Sequence, residues 1–251
     1  MNNQVRRIAW AITGAGHYLR ESVNMIRKIV LEHGVPVTIY VSRAGKSVLK
    51  TYNLLDELEN LVKSCRGCEL IYEDQEDPSY ASAGKVYLNY FAIVVVSPTT
   101  FNTLAKIASG IADTLVTNLV SHALKARVPV ALVVPDIECP LESTVPIVIV
   151  HDLCLKCRDV CAAARACSKE ALRVGLDGLP HIDFSKCDRC GTCVDACIEK
   201  AIKLDYKIVV YQHPLLANLV ERVKGIGVAV FGNPEQLWNS VLNRLIQSLP
   251  R

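Results

Sequence analysis

Eight of the chain's eleven cysteines fall between Cys154 and Cys197, in two runs: Cys154-x2-Cys157-x3-Cys161-x5-Cys167 and Cys187-x2-Cys190-x2-Cys193-x3-Cys197. A segment so dense in thiols has few residues with which to build an apolar core, and it folds around what the thiols bind. Eight thiolates are the ligand count for two 4Fe-4S clusters. The second run has the spacing of bacterial two-cluster ferredoxins, in which the fourth cysteine crosses to the other cluster. Three closely spaced thiolates surround one face of a cubane, and the chain then runs away from it. Cys154, Cys157, Cys161 and Cys197 are therefore expected around one cluster, and Cys187, Cys190, Cys193 and Cys167 around the other. Structural zinc also uses Cys-x2-Cys pairs and closes with four thiolates, but two such runs in succession are far more typical of cubanes. The first run departs from the usual pattern. It has three and then five intervening residues where two and then three are normal, and no proline follows Cys167 or Cys197. Its loop geometry is what this departure puts in question.

Clusters of this kind move electrons, and composition narrows the setting. The 251 residues carry a formal net charge of +3 with both signs interleaved, which points to neither nucleic acid nor an anionic membrane surface as partner. The first residues, MNNQVRRIAWAITGAG, read as a β-strand running into a glycine turn rather than a signal peptide. No apolar run reaches the roughly 18 residues of a spanning helix. Thiolate ligands suit a compartment that keeps thiols reduced, so a cytoplasmic location is expected.

Outside the cysteines, short β-branched runs alternate with helical patterns, which predicts an α/β fold with a parallel sheet, flavodoxin-like or Rossmann-like. Strands are expected at 7–13, 36–42, 69–72, 91–96, 129–134 and 227–231. Helices are expected at about 18–33, 54–62, 102–109, 113–126 and 215–223, with a last one from Pro234. The pattern breaks at 135–146, resumes with IVIV at 147–150, and returns after the cysteines with a strand-like segment at 207–211. The expected organisation is one α/β domain, 1–149 plus 207–251, interrupted by a ferredoxin-like insertion at 150–206.

Ligands of open parallel sheets bind beyond the carboxyl ends of the strands. Three loops there carry hydroxyls, small residues and free N–H groups near helix starts: Thr13-Gly14-Ala15-Gly16, Ser42-Arg43-Ala44-Gly45, and Ser97 to Thr103. Such loops suit a phosphate, although any one of them alone also makes an ordinary turn or cap. The dinucleotide fingerprint is absent, since Leu19 stands where a third glycine would fall, and so is the Walker pattern. A mononucleotide such as FMN fits better, and it would supply the two-electron partner that iron-sulfur clusters commonly need.

The stretch SPTTFNTLAKIASGIADTLVTN, Ser97 to Asn118, resembles the signature of homo-oligomeric flavoproteins that include the phosphopantothenoylcysteine decarboxylases. ITGAGHYLRESVNMIRKI, Ile12 to Ile29, and VSRAGKSVLKTYNLLDELE, Val41 to Glu59, are similar to the archaeal dihydromethanopterin reductase-like branch, some members of which carry a two-cluster ferredoxin unit. The resemblance spans essentially the whole chain. It implies a flavodoxin-like domain assembling as trimers or their multiples. FMN would be held by Thr13, Gly14, Ser42, Ser97, Thr99, Thr100, Asn102 and Thr103, and the acceptor would be a dihydropterin of the methanopterin type. Electrons would come from a donor protein or small reductant. The rival reading keeps every cofactor and makes the chain an electron-transfer protein serving a partner, with no substrate of its own. Decarboxylation is poorly supported: that branch uses a loop containing methionine and a histidine before the fourth strand, and this chain has methionine only at 1 and 25 and no histidine between His33 and His122.

Among the remaining residues, Cys65 and Cys68 form a lone Cys-x2-Cys that reads as a redox disulfide, a metal site or two buried thiols. Cys139 reads as inert. His17, beside the first glycine loop, is the candidate proton donor, against the plainer reading of a loop histidine without catalytic duty. Lys106 reads as a solvated helix charge or a neighbour of a phosphate, and Asp113 as the N-cap of the following helix.

Overall fold

The computed structural model describes residues 7–155, 157 and 160–249. Its strands, in chain order, are β1 (Arg7–Ile12), β2 (Val37–Val41), β3 (Glu69–Tyr72), β4 (Phe91–Val96), β5 (Val130–Val133), β6 (Leu141–Ile149), β7 (Leu172–Val174), β8 (Pro180–Ile182), β9 (Ile202–Val210) and β10 (Ala229–Phe231). Six of them form one parallel sheet in the order β10-β5-β4-β1-β2-β3. This is the doubly wound 3-2-1-4-5-6 arrangement, with its switch point between β1 and β4. β2, β4 and β5 are buried along their whole length, as a sheet covered on both faces demands of its central strands.

Side chains alternate between two cores. Ile8, Trp10 and Ile12 point with Ile39, Ile93 and Val95 toward α1 (Leu19–Leu31), α2 (Arg43–Thr51), α3 (Leu55–Ser64) and the C-terminal helical segment. Ala9, Ala11, Val94 and Val96 face α4 (Phe101–Ala108), α5 (Leu115–Lys125) and the helix at Leu216–Gly225. The α/β sheet expected from the sequence is therefore the fold.

Three local expectations change. α2 was not anticipated; it exists because Ser42 caps it, accepting from Gly45 N at 2.9 Å. Asp113 does not cap α5: Thr114 does, in a reciprocal box with Thr117, while the Asp113 carboxylate accepts from Lys106 Nζ at 2.9 Å. A threonine one residue nearer the first helical turn reaches the free N–H that Asp113 overshoots. Finally, the 147–150 and 207–211 segments do not join the main sheet. They belong to β6 and β9, which pair antiparallel from Leu141 opposite Val210 to Ile149 opposite Ile202. This ribbon leaves the α/β layer after β5, carries the cysteines, and returns before β10 pairs with β5.

Candidate functional site

At the tip of the ribbon α6 (His151–Cys154) follows β6, and the β7–β8 hairpin, α7 (Ala162–Ala166) and α8 (Thr192–Ala196) pack on a small core of Ile147, Ala163, Ala171, Leu172 and Ile202. The unit is a duplication. Val150 N donates to Ala201 O as Asp183 N does to Ala171 O; Ala201 N and Ala171 N each donate to the sulfur of Cys197 and Cys167 at 3.3 Å; Lys200 and Glu170 both have positive φ, 52° and 49°. Between Cys157 and α7 the first half has three residues more than the second has between Cys190 and α8. As a result Ala163 occupies the place of Cys193, and the third thiol of the first run comes from Cys161, at the N-cap of α7.

The structure brings Cys154, Cys157, Cys161 and Cys197 around one cavity of about 300 Å³, walled by Val160, Val174, Pro180 and Ile198. Cys167, Cys187, Cys190 and Cys193 line a second, tighter cavity of about 20 Å³. Within each quartet the sulfurs feel one another. Burial, then Cys197, Cys161 and Cys157, push the Cys154 thiol up; burial first, then Cys187, Cys167 and Cys190, push Cys193 up. Four thiols converging on one space, with the backbone N–H of Ala201 aimed at Cys197 in one quartet and that of Ala171 at Cys167 in the other, are a donor set that suits a cubane, and such N–H···S bonds tune its potential.

The sheet order sets β4, β1 and β2 side by side, so the three candidate loops meet at one edge. Thr13 stitches two of them together: its Oγ1 donates to Pro98 O at 2.7 Å and accepts from Thr100 N at 3.0 Å. Ser97 and Thr99 are buried with hydroxyls committed inside the protein, Ser97 to Ser22 Oγ at 2.8 Å and Thr99 to Val96 O at 2.8 Å. Thr100 caps α4 and bonds Thr103 Oγ1 at 2.9 Å, while Asn102 is exposed. Gly14 and Gly45 are required by close approach. A Cβ on Gly14 would stand 2.8 Å from Ala44 Cβ, and one on Gly45 would stand 2.6 Å from Ile12 O. Of the eight candidates, then, Thr13, Ser97 and Thr99 shape the edge, whereas Gly14, Ser42, Thr100, Asn102 and Thr103 present surface there.

Other groups at this edge carried no local sequence signal. Buried Glu73 accepts from Arg43 N at 2.8 Å and Leu115 N at 2.9 Å, satisfying the starts of α2 and α5 with one carboxylate. His213, beyond the ribbon, stacks on Phe101 at 4.1 Å. Tyr18 donates to Glu138 Oε2 at 2.5 Å, and burial followed by that carboxylate pushes its pKa up to about 12. His17 lies at Ser143 of β6, Nδ1 to Oγ 3.2 Å. Between this loop, α2 and the ribbon is a cavity of about 440 Å³ lined by Gly16, His17, Val48, Tyr52, Pro146 and Phe184, among others. Far from the edge, Cys65 and Cys68 form a disulfide. Cys139, in the segment after β5, is half-buried, and burial followed by Asp136 pushes its thiol up.

Comparison with known proteins agrees with this geometry. The family described as Flavoprotein matches residues 1–147, and a 4Fe-4S binding domain matches 180–203, the regular half of the cysteine unit. A dihydromethanopterin reductase (acceptor) of Methanosarcina mazei is 37% identical over 92% of this chain and 97% of its own length. One from Methanocaldococcus jannaschii is 40% identical over 62% of this chain and 65% of its own. The crystal structure of Burkholderia xenovorans DmrB in complex with FMN, a cubic protein cage for redox transfer, shares the fold with a TM-score of 0.61 at 20% identity, covering 96% of both chains. Among the described residues no helix is long and apolar enough to cross a membrane. A flavoprotein match over more than half the chain, a 4Fe-4S domain and similarity along nearly the whole length of the Methanosarcina mazei reductase together place this chain in the flavoprotein family, among its dihydromethanopterin reductase (acceptor)-like iron-sulfur oxidoreductases.

Proposed function

We propose that the chain takes single electrons through two 4Fe-4S clusters, one on each thiol quartet, to FMN, and delivers them in pairs to a dihydropterin of the methanopterin type. The observation that carries this reading is the ribbon, which brings the cysteine unit to the edge formed by the loops after β1 and β2, with Ser143 to Pro146 and Phe184 facing Gly16, His17 and Ala44. FMN supplies the exchange between one-electron and two-electron chemistry, and the protein supplies position and electrostatics. Gly14 and Gly45 keep the first two loops close to each other, and the exposed Asn102 with Thr100 and Thr103 offers polar groups at the start of α4. The 440 Å³ cavity is of the size and apolar character that takes a planar ring. His17, held at Nδ1 by Ser143, keeps Nε2 for a proton to an acceptor nitrogen. In this reading residues 150–206 are the cluster module, the α/β part assembles as a trimer or a multiple, and the protein works in the cytoplasm with a low-potential donor protein or reductant.

Anaerobic reconstitution tests this directly. About eight iron atoms and one FMN per chain are expected, with dihydropterin reduction under dithionite. Flavin reduction without dihydropterin turnover would instead favour an electron-transfer protein with no substrate of its own.

A further inference from the structure

The two quartets stand in different relations to the cofactor edge. Tyr52, just after α2, touches the ribbon and the loop after β1 and lies in the electrostatic field of the cysteine unit. Its hydroxyl donates to Thr144 O of the ribbon at 2.9 Å. It presses on the loop after β1, where a Cβ on Gly16 would fall 2.3 Å from its oxygen. It also feels the charge of Arg189, which sits between Cys187 and Cys190 and lines the tighter cavity. The Arg189 side chain is only 14% exposed; its guanidinium donates to Asp205 at 2.6 Å, and its Nε is buried without a partner among the described residues. The same half of the unit makes two more contacts with the α/β layer: Ser185 O accepts from Lys50 Nζ, and Phe184 lines the 440 Å³ cavity beside Gly16.

The Cys154 quartet is placed otherwise. Val160 and Ile198, which wall its cavity, are 64% and 67% exposed, so its rim is open to solvent. Electron tunnelling weakens exponentially with distance and runs best through packed atoms, which favours the half that is packed on the edge.

We propose that the cluster held by Cys167, Cys187, Cys190 and Cys193 is the one that passes electrons to the flavin, across Tyr52, and that the Cys154 quartet receives them first. This order rests on the two-cluster reading above. In each transfer the cluster on the Cys187 quartet is oxidised by one electron and the flavin is reduced by one. Two transfers and a proton from solvent complete the flavin's reduction, and a one-electron donor of low potential, dithionite in the test, refills the chain.

The test is the fluorescence lifetime of bound FMN in the reconstituted full-length protein, since a nearby cluster quenches the excited flavin. Cys190→Ala is expected to lengthen the lifetime severalfold, and Cys154→Ala to leave it almost unchanged. Equal effects, the reverse order, or no lengthening in Cys190→Ala overturn the proposal. Tyr52→Leu removes no ligand and keeps the argument testable if a cysteine variant fails to fold. It should retain its iron yet slow the dithionite-driven bleaching of FMN toward the rate of Cys190→Ala; unchanged bleaching removes Tyr52 from the route. Iron analysis keeps the two readings apart, because unmodified protein that binds only one cluster defeats the two-cluster reading whatever the lifetimes show.

Discussion

In one half of the cysteine unit the chain enters its helix through Gly191, at φ 85°; in the other half the matching residue is Cys161, at φ −54°. The left-handed turn at Gly191 lets Cys190 stop short of α8 while Cys193 reaches in from its first turn. With an ordinary φ and three added residues, the first half takes its third thiol from the cap itself and fills the vacated helical site with Ala163, buried to 1% exposure. Downstream the halves coincide again, through the N–H bonds to Cys167 and Cys197 and the positive φ at Glu170 and Lys200. The entry to each helix is thus tolerant of change and the exit is not, because the exit fixes both the crossing thiol and the start of a strand. The 4Fe-4S domain match to 180–203 alone fits this, since it follows the half with ordinary spacing.

The largest effect is expected from removing the crossing thiols one at a time. Cys197→Ala should empty the quartet of the first run and Cys167→Ala that of the second, each lowering iron from about eight to about four atoms per chain. Loss of the cluster on the same run in either variant, seen by iron count and EPR, would undo the crossing. Next in size is a difference in lability. Under an excess of chelator the reconstituted protein should lose iron in two phases, the faster one carrying roughly half of it from the wider, solvent-rimmed Cys154 quartet; a single phase would mean the halves are equivalent. Gly191→Ala should cost about 1–2 kcal/mol for forcing a side chain into left-handed backbone, measured by denaturant unfolding. Smallest is the effect at the shared exit. Glu170→Gly and Lys200→Gly each relieve a positive φ, with a stability change under about 1 kcal/mol that should be the same in both halves.

Much of the α/β part was legible because its central strands are buried on both faces and so carry unbroken runs such as FAIVVV. Spacing suggests a grouping of thiols across the two runs, and the two cavities are lined by the same two sets of four. α2 was not legible, since RAGKSVLKT is short, carries a glycine and three cationic side chains, and buries only Gly45, Leu49 and Thr51. The ribbon was hidden for a related reason: IVIV looks like a core strand, yet it is the end of a nine-residue strand of mixed exposure paired antiparallel. Glu73, Tyr52, Arg189 and His213 act at the edge through partners 30 to 137 residues away in sequence, as Glu73 with Arg43 and Tyr52 with Arg189 illustrate. No local pattern marks such residues.

The antiparallel pairing of β6 with β9 also bears on how such a protein could arise. Because entry and exit strands lie side by side, with Leu141 opposite Val210, the two ends of a seventy-residue detour come back together before β10 pairs with β5. A stem of this form is a portable socket. It returns the chain close to where it left, so the central strands need no change of register to accommodate what the stem carries.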